Sequence, residues 1–189
     1  RPSWKAVEYW YSEIEKIRKD RGQRGVNEAI LGESLDNNTC ALRMSYALYN
    51  AKVSMQLVPT LKSQKILTGN IKNDKYIMGA SDMAKFLKTI WGIQIYDKHF
   101  DFRKNDTFAD CIAYLKTMNE QSKGIIVIRF DFERAGITGH TTLWEARNGY
   151  LYDDNQVGIN TQIGDNKIDT LLDYFRHYHT REFYFWELH

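Results

Sequence analysis

The sequence has few cysteines, little net charge and no long apolar run, and each absence excludes a class of protein. Two cysteines in 189 residues, Cys40 and Cys111, are too few for a disulfide framework, and no Cys/His cluster suggests zinc. The net charge of +2 argues against a nucleic-acid binder that depends on neutralising phosphates. No apolar run approaches the roughly 20 residues of a membrane helix. The first residues lack the apolar core of a signal peptide, so we expect synthesis in the cytoplasm and no membrane association.

The composition is that of an ordinary globular protein with an excess of aromatic residues. Hydrophobic residues make up 43% and charged residues 26% of the chain, and the length suits a single domain over residues 1–189. Aromatic residues reach 14%. They stabilise cores, but they also line clefts that hold sugars or peptides, so their abundance alone does not indicate a function.

Helical spacing dominates the first part of the sequence, and strand patterns dominate the rest. Apolar periodicity predicts helices over 4–17, 40–52, 81–90, 107–118 and 168–175. Short β-branched or alternating runs predict strands over 124–130, 139–146, 150–154 and 181–188. The segment 57–74 fits a loop or short strands, and Asn148-Gly149 indicates a hairpin turn. Helices followed by an antiparallel sheet predict the α+β class.

Cys40 stands at the start of the predicted helix 40–52, directly after four residues that commonly cap helices, Asp36 to Thr39. Free backbone N–H groups and the helix dipole favour a thiolate at such a position, and the thiolate is the nucleophilic form of cysteine. The other interpretation is a small buried residue in a helix. Cys111 lies in mid-helix among apolar residues, where we expect a buried, unreactive thiol.

A nucleophilic cysteine needs a base, and His140 is the best-placed histidine. It opens a predicted strand, and Gly139 before it permits the close approach of another backbone or of a substrate. The alternative is a hydrogen-bonded histidine at the edge of the core. The remaining histidines fit a charged loop, the connection before the last strand and the C-terminus: His99, His177, His179 and His189.

An acid that orients the imidazole would come from the return strand of the hairpin. If the turn has three residues, 147–149, then Thr142 faces Asp154, which lies diagonally beside His140. If the turn has the two-residue Asn-Gly form, the pairing shifts by one residue and Asp153 points to the histidine side. The sequence allows both, and a solvated strand end is a third interpretation of these aspartates.

The motifs together resemble those of the type VI secretion amidase effector family, group four. The resemblance is carried by Asn38-Thr39-Cys40-Ala41-Leu42-Arg43-Met44-Ser45-Tyr46, Gly139-His140-Thr141-Thr142-Leu143-Trp144, Asn148-Gly149 with a following Asp, and Phe185-Trp186-Glu187-Leu188. It implies a papain-like cysteine amidase fold, with a helical N-terminal half packed on an antiparallel β-sheet. It also implies a peptidoglycan DL-endopeptidase that cleaves between D-glutamate and meso-diaminopimelate in wall stem peptides. Such antibacterial toxins are injected into a rival's periplasm, and a cognate immunity protein neutralises them in the producer.

The resemblance also assigns roles to single residues. Cys40 would be the nucleophile and His140 the base. The family places its acid five residues after the Gly of the turn, which is Asp154. The turn is longer here, because residues 145–147 intervene between Trp144 and Asn148, so Asp153 stays the alternative. No metal or organic cofactor is required.

Two roles near Cys40 and two other functions stay open at this point. The side chain of Asn37 or Asn38 would either help the Cys40 N–H hold the oxyanion or cap the helix. Arg43, one turn after Cys40, would either meet a substrate carboxylate or be solvated on the helix surface. The alternative functions are a thiol acyltransferase or deamidase that acts on a protein, and a non-catalytic module that binds wall glycans through its aromatic residues.

Overall fold

Helices dominate the first part of the chain and an antiparallel sheet dominates the second, as the α+β pattern predicts. The computed structural model describes residues 1–68, 71–118, 121–134, 137–146, 150–151 and 179–189. They group into two compact units, Arg1–Gly92 and Ile93–His189, and each has a hydrophobic cluster of its own. The single domain expected over residues 1–189 stays a prediction.

In the part of the first unit that the structure describes, there are four helices and a short antiparallel ribbon. Its elements are α1 (Trp4–Leu31), α2 (Cys40–Asn50), α3 (Leu57–Ser63), β1 (Ile71–Lys72), β2 (Tyr76–Ile77) and α4 (Ala80–Trp91). The segment expected as a loop or short strands therefore contains the helix α3 as well as β1. Pro59 does not prevent α3, because it lies in the first turn, where backbone N–H groups have no partner within the helix.

Helix α1 begins as predicted but extends beyond the predicted end. The hydroxyl of Ser3 accepts from the Ala6 N–H at 3.3 Å, so Ser3 is the N-cap of the helix. The polar stretch after residue 17 contains a kink at Gly22, whose φ of +65° and ψ of −166° are not helical. The helix then resumes and ends at Gly32, a left-handed C-cap. One side of α1 buries apolar residues that pack with α2, among them Ile14 and Val26.

Among its described residues, the second unit has a five-stranded antiparallel sheet and one helix. Its elements are β3 (Lys98–Asp101), α5 (Phe108–Thr117), β4 (Lys123–Arg134), β5 (Ile137–Glu145), β6 (Tyr150–Leu151) and β7 (Thr180–Glu187), and the strand order is β3-β7-β4-β5-β6. The predicted strands over 124–130, 139–146 and 181–188 are confirmed. The predicted helix over 168–175 lies outside the described residues. The charged stretch around His99, predicted as a loop, is instead the edge strand β3, which pairs with β7.

Helix α5 packs on one face of this sheet. Its N-cap is Thr107, because Thr107 and Asp110 bond reciprocally in a capping box. The core contains residues of α5 and alternate residues of the strands: Phe100, Cys111, Ile112, Leu115, Ile126, Ile128, Trp144, Phe183 and Phe185. No helix within the described residues combines the length and apolar content needed to cross a membrane.

Candidate active site

Cys40 is the first residue of α2, as the sequence predicts. Its side chain is 3% exposed and its thiol forms no disulfide. The helix that follows is almost wholly buried through Leu48, so its N-terminal turn is held firmly in the first unit.

Of the residues before Cys40, Asn38 makes the side-chain contact at the start of α2, which is one of the two roles expected of it. Thr39 is the N-cap by position, but its side chain makes no capping bond. Its hydroxyl instead donates to Oε1 of Gln23, and its N–H donates to the same oxygen at 3.2 Å. The N–H of Cys40 donates to Oδ1 of Asn38 at 3.0 Å. Asn38 therefore makes the capping contact, while its role as an oxyanion donor stays a prediction.

Arg43 is neither solvated nor exposed to a substrate, so both interpretations of this residue were wrong. It is 2% exposed, donates to the carboxylate of Glu15, and lies over the ring of Tyr11 with its Cζ 5.6 Å from the ring centroid. Glu15 also accepts from Nε of Arg18 at 2.6 Å. The charge of Arg43 is thus used inside the first unit, where it ties α2 to α1.

Cys111 has the environment expected of an unreactive cysteine. It lies in the middle of α5, is fully buried, and contacts the apolar core of the second unit. Burial raises the pKa of its thiol far above the ordinary value, and the charge of Asp106 acts in the same direction. Near neutral pH this thiol is protonated and does not act as a nucleophile.

His140 lies on β5, where it pairs with Ile128 of β4. Its side chain is 4% exposed. Gly139 allows the close approach that the sequence suggested, and the approaching group is backbone: a Cβ at this position would lie 2.1 Å from the carbonyl oxygen of Ile128. Cys40 and His140 belong to different units, and a thiol–imidazole pair between them stays a prediction.

The candidate acids Asp153 and Asp154 lie outside the described residues, as does the turn 147–149. At the described start of the hairpin, Glu145 pairs with Tyr150. This pairing fits neither the two-residue turn nor the three-residue turn considered in the sequence analysis. The N–H of the next residue, Ala146, donates to the carbonyl of Ser122 at 2.9 Å, on the β4 side of β5. The register argument therefore does not select between the two aspartates, and only the family resemblance favours Asp154.

Comparison with known proteins adds to this geometry. A family profile described as type VI secretion system amidase effector protein 4, Tae4, matches residues 37–172, a segment that contains Cys40, His140 and both aspartates. The chain belongs to this family. A search of curated proteins gives no match. The Tae4 chain is thus an amidase effector of the type VI secretion system, an antibacterial hydrolase that acts on peptidoglycan.

Solved structures of Tae4 proteins share the fold of the chain. A Tae4–Tai4 effector–immunity complex from Enterobacter cloacae is similar at 22% identity, with a TM-score of 0.53. The Tae4/Tai4 system from Salmonella typhimurium is similar at 20% identity, with a TM-score of 0.56. In both cases the likeness covers 100% of this chain and 99% of the other. The papain-like α+β class expected from the sequence is confirmed.

The structure of this Tae4 chain also contains a charged cluster that the sequence did not indicate. Glu182 on β7 accepts from the Tyr184 hydroxyl at 2.7 Å, pairs with Arg129, and lies 3.2 Å from Nε2 of His99. Burial disfavours its ionisation, but the bonds from His99 and Tyr184 and the charge of Arg129 outweigh that effect and lower its pKa to about 2. The one sequence signal that could have indicated it is the spacing of Glu182 and Tyr184, which are two residues apart and so share a face of a strand. Within the described residues, no group of three or more His, Cys, Asp or Glu is placed to hold a metal ion.

Proposed function

We propose that this Tae4 chain is a cysteine amidase that hydrolyses the γ-D-glutamyl–meso-diaminopimelate bond in the stem peptides of peptidoglycan. The observation that carries the proposal is the position of Cys40 as the first residue of a buried helix, inside the segment that matches the family. A thiol at such a helix end is favoured as thiolate, whereas Cys111 is held as a thiol by burial.

The proposed reaction is acyl transfer to water in two steps. The imidazole of His140 takes the proton of the Cys40 thiol, and the sulfur attacks the γ-carbonyl carbon of D-glutamate. Collapse of the tetrahedral intermediate breaks the C–N bond, and His140 gives its proton to the departing amine of diaminopimelate. Water then loses a proton to His140 and attacks the thioester, which releases the D-glutamyl carboxylate and restores the thiol.

The supporting groups are an acid and an oxyanion site. Asp154 would orient His140 and stabilise its charged form, with Asp153 as the alternative. The Cys40 N–H and the Asn38 amide would hold the oxyanion. Because the Cys40 N–H donates to Asn38 in the structure, the substrate oxygen would replace Asn38 Oδ1 as the acceptor.

We also propose a place of action and a protein partner. The Enterobacter and Salmonella relatives were solved as complexes with the immunity protein Tai4. By analogy, a cognate immunity protein of that kind would bind this chain in the producing cell. The substrate lies in the periplasm of the target bacterium, and that is where the enzyme would act after secretion.

The test is digestion of diaminopimelate-type peptidoglycan by the wild type and by Cys40→Ala, with the fragments resolved by mass. We expect the wild type to release fragments that end at D-glutamate and Cys40→Ala to release none. Intact stem peptides after wild-type digestion, cleavage at another bond, or full activity of Cys40→Ala would contradict the proposal. A mass change in a protein substrate instead of the wall would favour a protein deamidase or acyltransferase.

The acid is identified by a matched pair of variants, Asp154→Ala and Asp153→Ala. We expect Asp154→Ala to lower kcat by about 10²- to 10⁴-fold, since an imidazole without its orienting acid is held less well. Asp153→Ala should keep activity close to that of the wild type. The reverse result would transfer the role to Asp153.

A further inference from the structure

We infer that Gln23 is a positioning residue for Cys40: it fixes the backbone immediately before the nucleophile from a helix outside the motif. This inference rests on the proposed function of Cys40. Both polar hydrogens of Thr39, that of the N–H at 3.2 Å and that of the hydroxyl, are donated to the single oxygen Oε1 of Gln23. Thr39 is fully buried, so water does not offer these groups an alternative acceptor.

Gly22 directs Gln23 toward this contact. Its φ of +65° interrupts α1 directly before Gln23, and residues with a side chain rarely adopt that value. A Cβ at Gly22 would meet no atom within 4 Å. The glycine is therefore required by the backbone conformation of the kink and not by close packing.

A second residue of the same helical segment holds the other end of the loop. The fully buried Asn27 donates through Nδ2 to the carbonyl of Leu35 at 3.1 Å and to Oδ1 of Asn37 at 2.9 Å. The same group lies 3.0 Å from the carbonyl of Gln23. The part of α1 after the kink thus fixes residues 35–39 at both ends, and Gln23 holds the end next to the nucleophile.

This arrangement gives Thr39 a role different from that of an ordinary N-cap. Its hydroxyl is directed to Gln23 and not to the N–H groups of its own helix. Its carbonyl still accepts the first helical bond, from the Arg43 N–H at 2.8 Å. Gln23 therefore sets the position from which α2 and the side chain of Cys40 start. A displacement of about 1 Å at a reacting group can cost about 100-fold in rate.

The experiment compares three variants. Gln23→Met removes the acceptor, Thr39→Val removes the donor hydroxyl, and Thr39→Ser retains that hydroxyl. For each variant we would measure kcat and KM on a purified wall tetrapeptide, and the midpoint of urea unfolding. We expect Gln23→Met to lower kcat about 10- to 100-fold with KM changed by less than about twofold. Thr39→Val should lower kcat by less than Gln23→Met does, since the bond from the Thr39 N–H remains. Thr39→Ser should keep kcat close to the wild-type value.

The double variant Gln23→Met/Thr39→Val separates positioning from general destabilisation. We expect its kcat to equal that of Gln23→Met, because the hydroxyl has no acceptor once Gln23 is changed. Wild-type kcat in Gln23→Met, or equal loss in Thr39→Val and Thr39→Ser, would overturn the inference. If Gln23→Met does not fold, the two Thr39 variants decide by the same criterion. Full activity of Cys40→Ala would overturn the proposed function instead, so the two failures are distinguishable.

Discussion

The two cysteines are both buried, in helices of different units, and the comparison shows that burial alone does not determine what a cysteine can do. Cys40 begins α2, and the residues directly before it are polar and hydrogen-bonded: Asn38 and Thr39, the latter to Gln23. Cys111 lies in the middle of α5, surrounded by the apolar core of the second unit. Position along the helix and the polarity of the neighbours separate the two sites.

The units also differ in how they hold buried charge. In the first unit Glu15 joins two arginines and ties α1 to the helix that carries Cys40. In the second unit the cluster around Glu182 joins the three strands β3, β4 and β7. Because side chains alternate along β7, the cluster lies on the sheet face opposite to Phe183 and Phe185, which pack with α5. In the first unit the buried charges thus hold the helix that carries Cys40. In the second unit the helix that carries Cys111 is held by apolar packing instead.

The largest expected effect is a difference in thiol reactivity. In the folded protein, iodoacetamide near neutral pH should modify Cys40 at least about 100-fold faster than Cys111, since only the thiolate reacts and burial keeps Cys111 protonated. Peptide mass mapping over time measures both rates in one sample. Denatured protein is the control, in which the two rates should converge. Equal rates in the folded protein would remove the distinction between the two sites.

The next effect concerns the buried charges of the first unit. Glu15→Gln leaves the buried guanidinium of Arg43 without its carboxylate and should lower the free energy of unfolding by about 3 to 5 kcal/mol. The control is Glu13→Gln, whose partner Lys16 is exposed, and it should cost less than about 1 kcal/mol. Urea unfolding measures both, and a similar cost in the two variants would mean that the buried network adds no special stability.

The charged cluster of the second unit should make stability depend on acid. The pKa of Glu182 falls from 4.5 to about 2 on folding, so its ionised form stabilises the fold above pH 4.5. That contribution, up to about 3 kcal/mol, should be lost as the pH falls from about 5 toward 2. The difference in unfolding free energy between the wild type and Glu182→Gln isolates it, and a pH-independent difference would contradict the assignment.

The smallest effect is expected at Cys111. Cys111→Ala leaves a cavity of about one methyl group in the core around α5, and it should cost about 1 kcal/mol of stability. Activity on peptidoglycan should equal that of the wild type, because this thiol takes no part in the proposed reaction. Thermal unfolding and the digestion assay measure the two quantities, and a large loss of activity in a folded variant would give Cys111 a role that we do not assign.

The parts of the molecule that were predictable are those with a local signal. The start of α2 at Cys40 follows from cap-forming residues before an apolar helical pattern, and the central strands follow from β-branched runs. These signals lie within a few residues of each other. The position of His140 after Gly139, at the start of a predicted strand, made it the candidate base, and the family resemblance added the class of reaction.

The parts that were missed depend on partners far away in the sequence. Arg43 was expected at a surface because its buried partner, Glu15, lies 28 residues earlier. The strand β3 was missed because its charged side chains do not alternate with apolar ones, and one of them, His99, is paired with Glu182 across the sheet. The contact between Gln23 and Thr39 likewise spans 16 residues and leaves no trace in either local pattern.

Gly139 has a consequence for the folding of the sheet as well as for its packing. The carbonyl of Ile128 leaves no space for a Cβ opposite it. If the pairing of β5 with β4 shifted by one residue, a residue with a side chain would meet that carbonyl. All the side chains of β5 would also move to the opposite face of the sheet. The glycine therefore favours a single alignment of the two strands while the sheet forms, and it makes misaligned hairpins short-lived before His140 is ever buried.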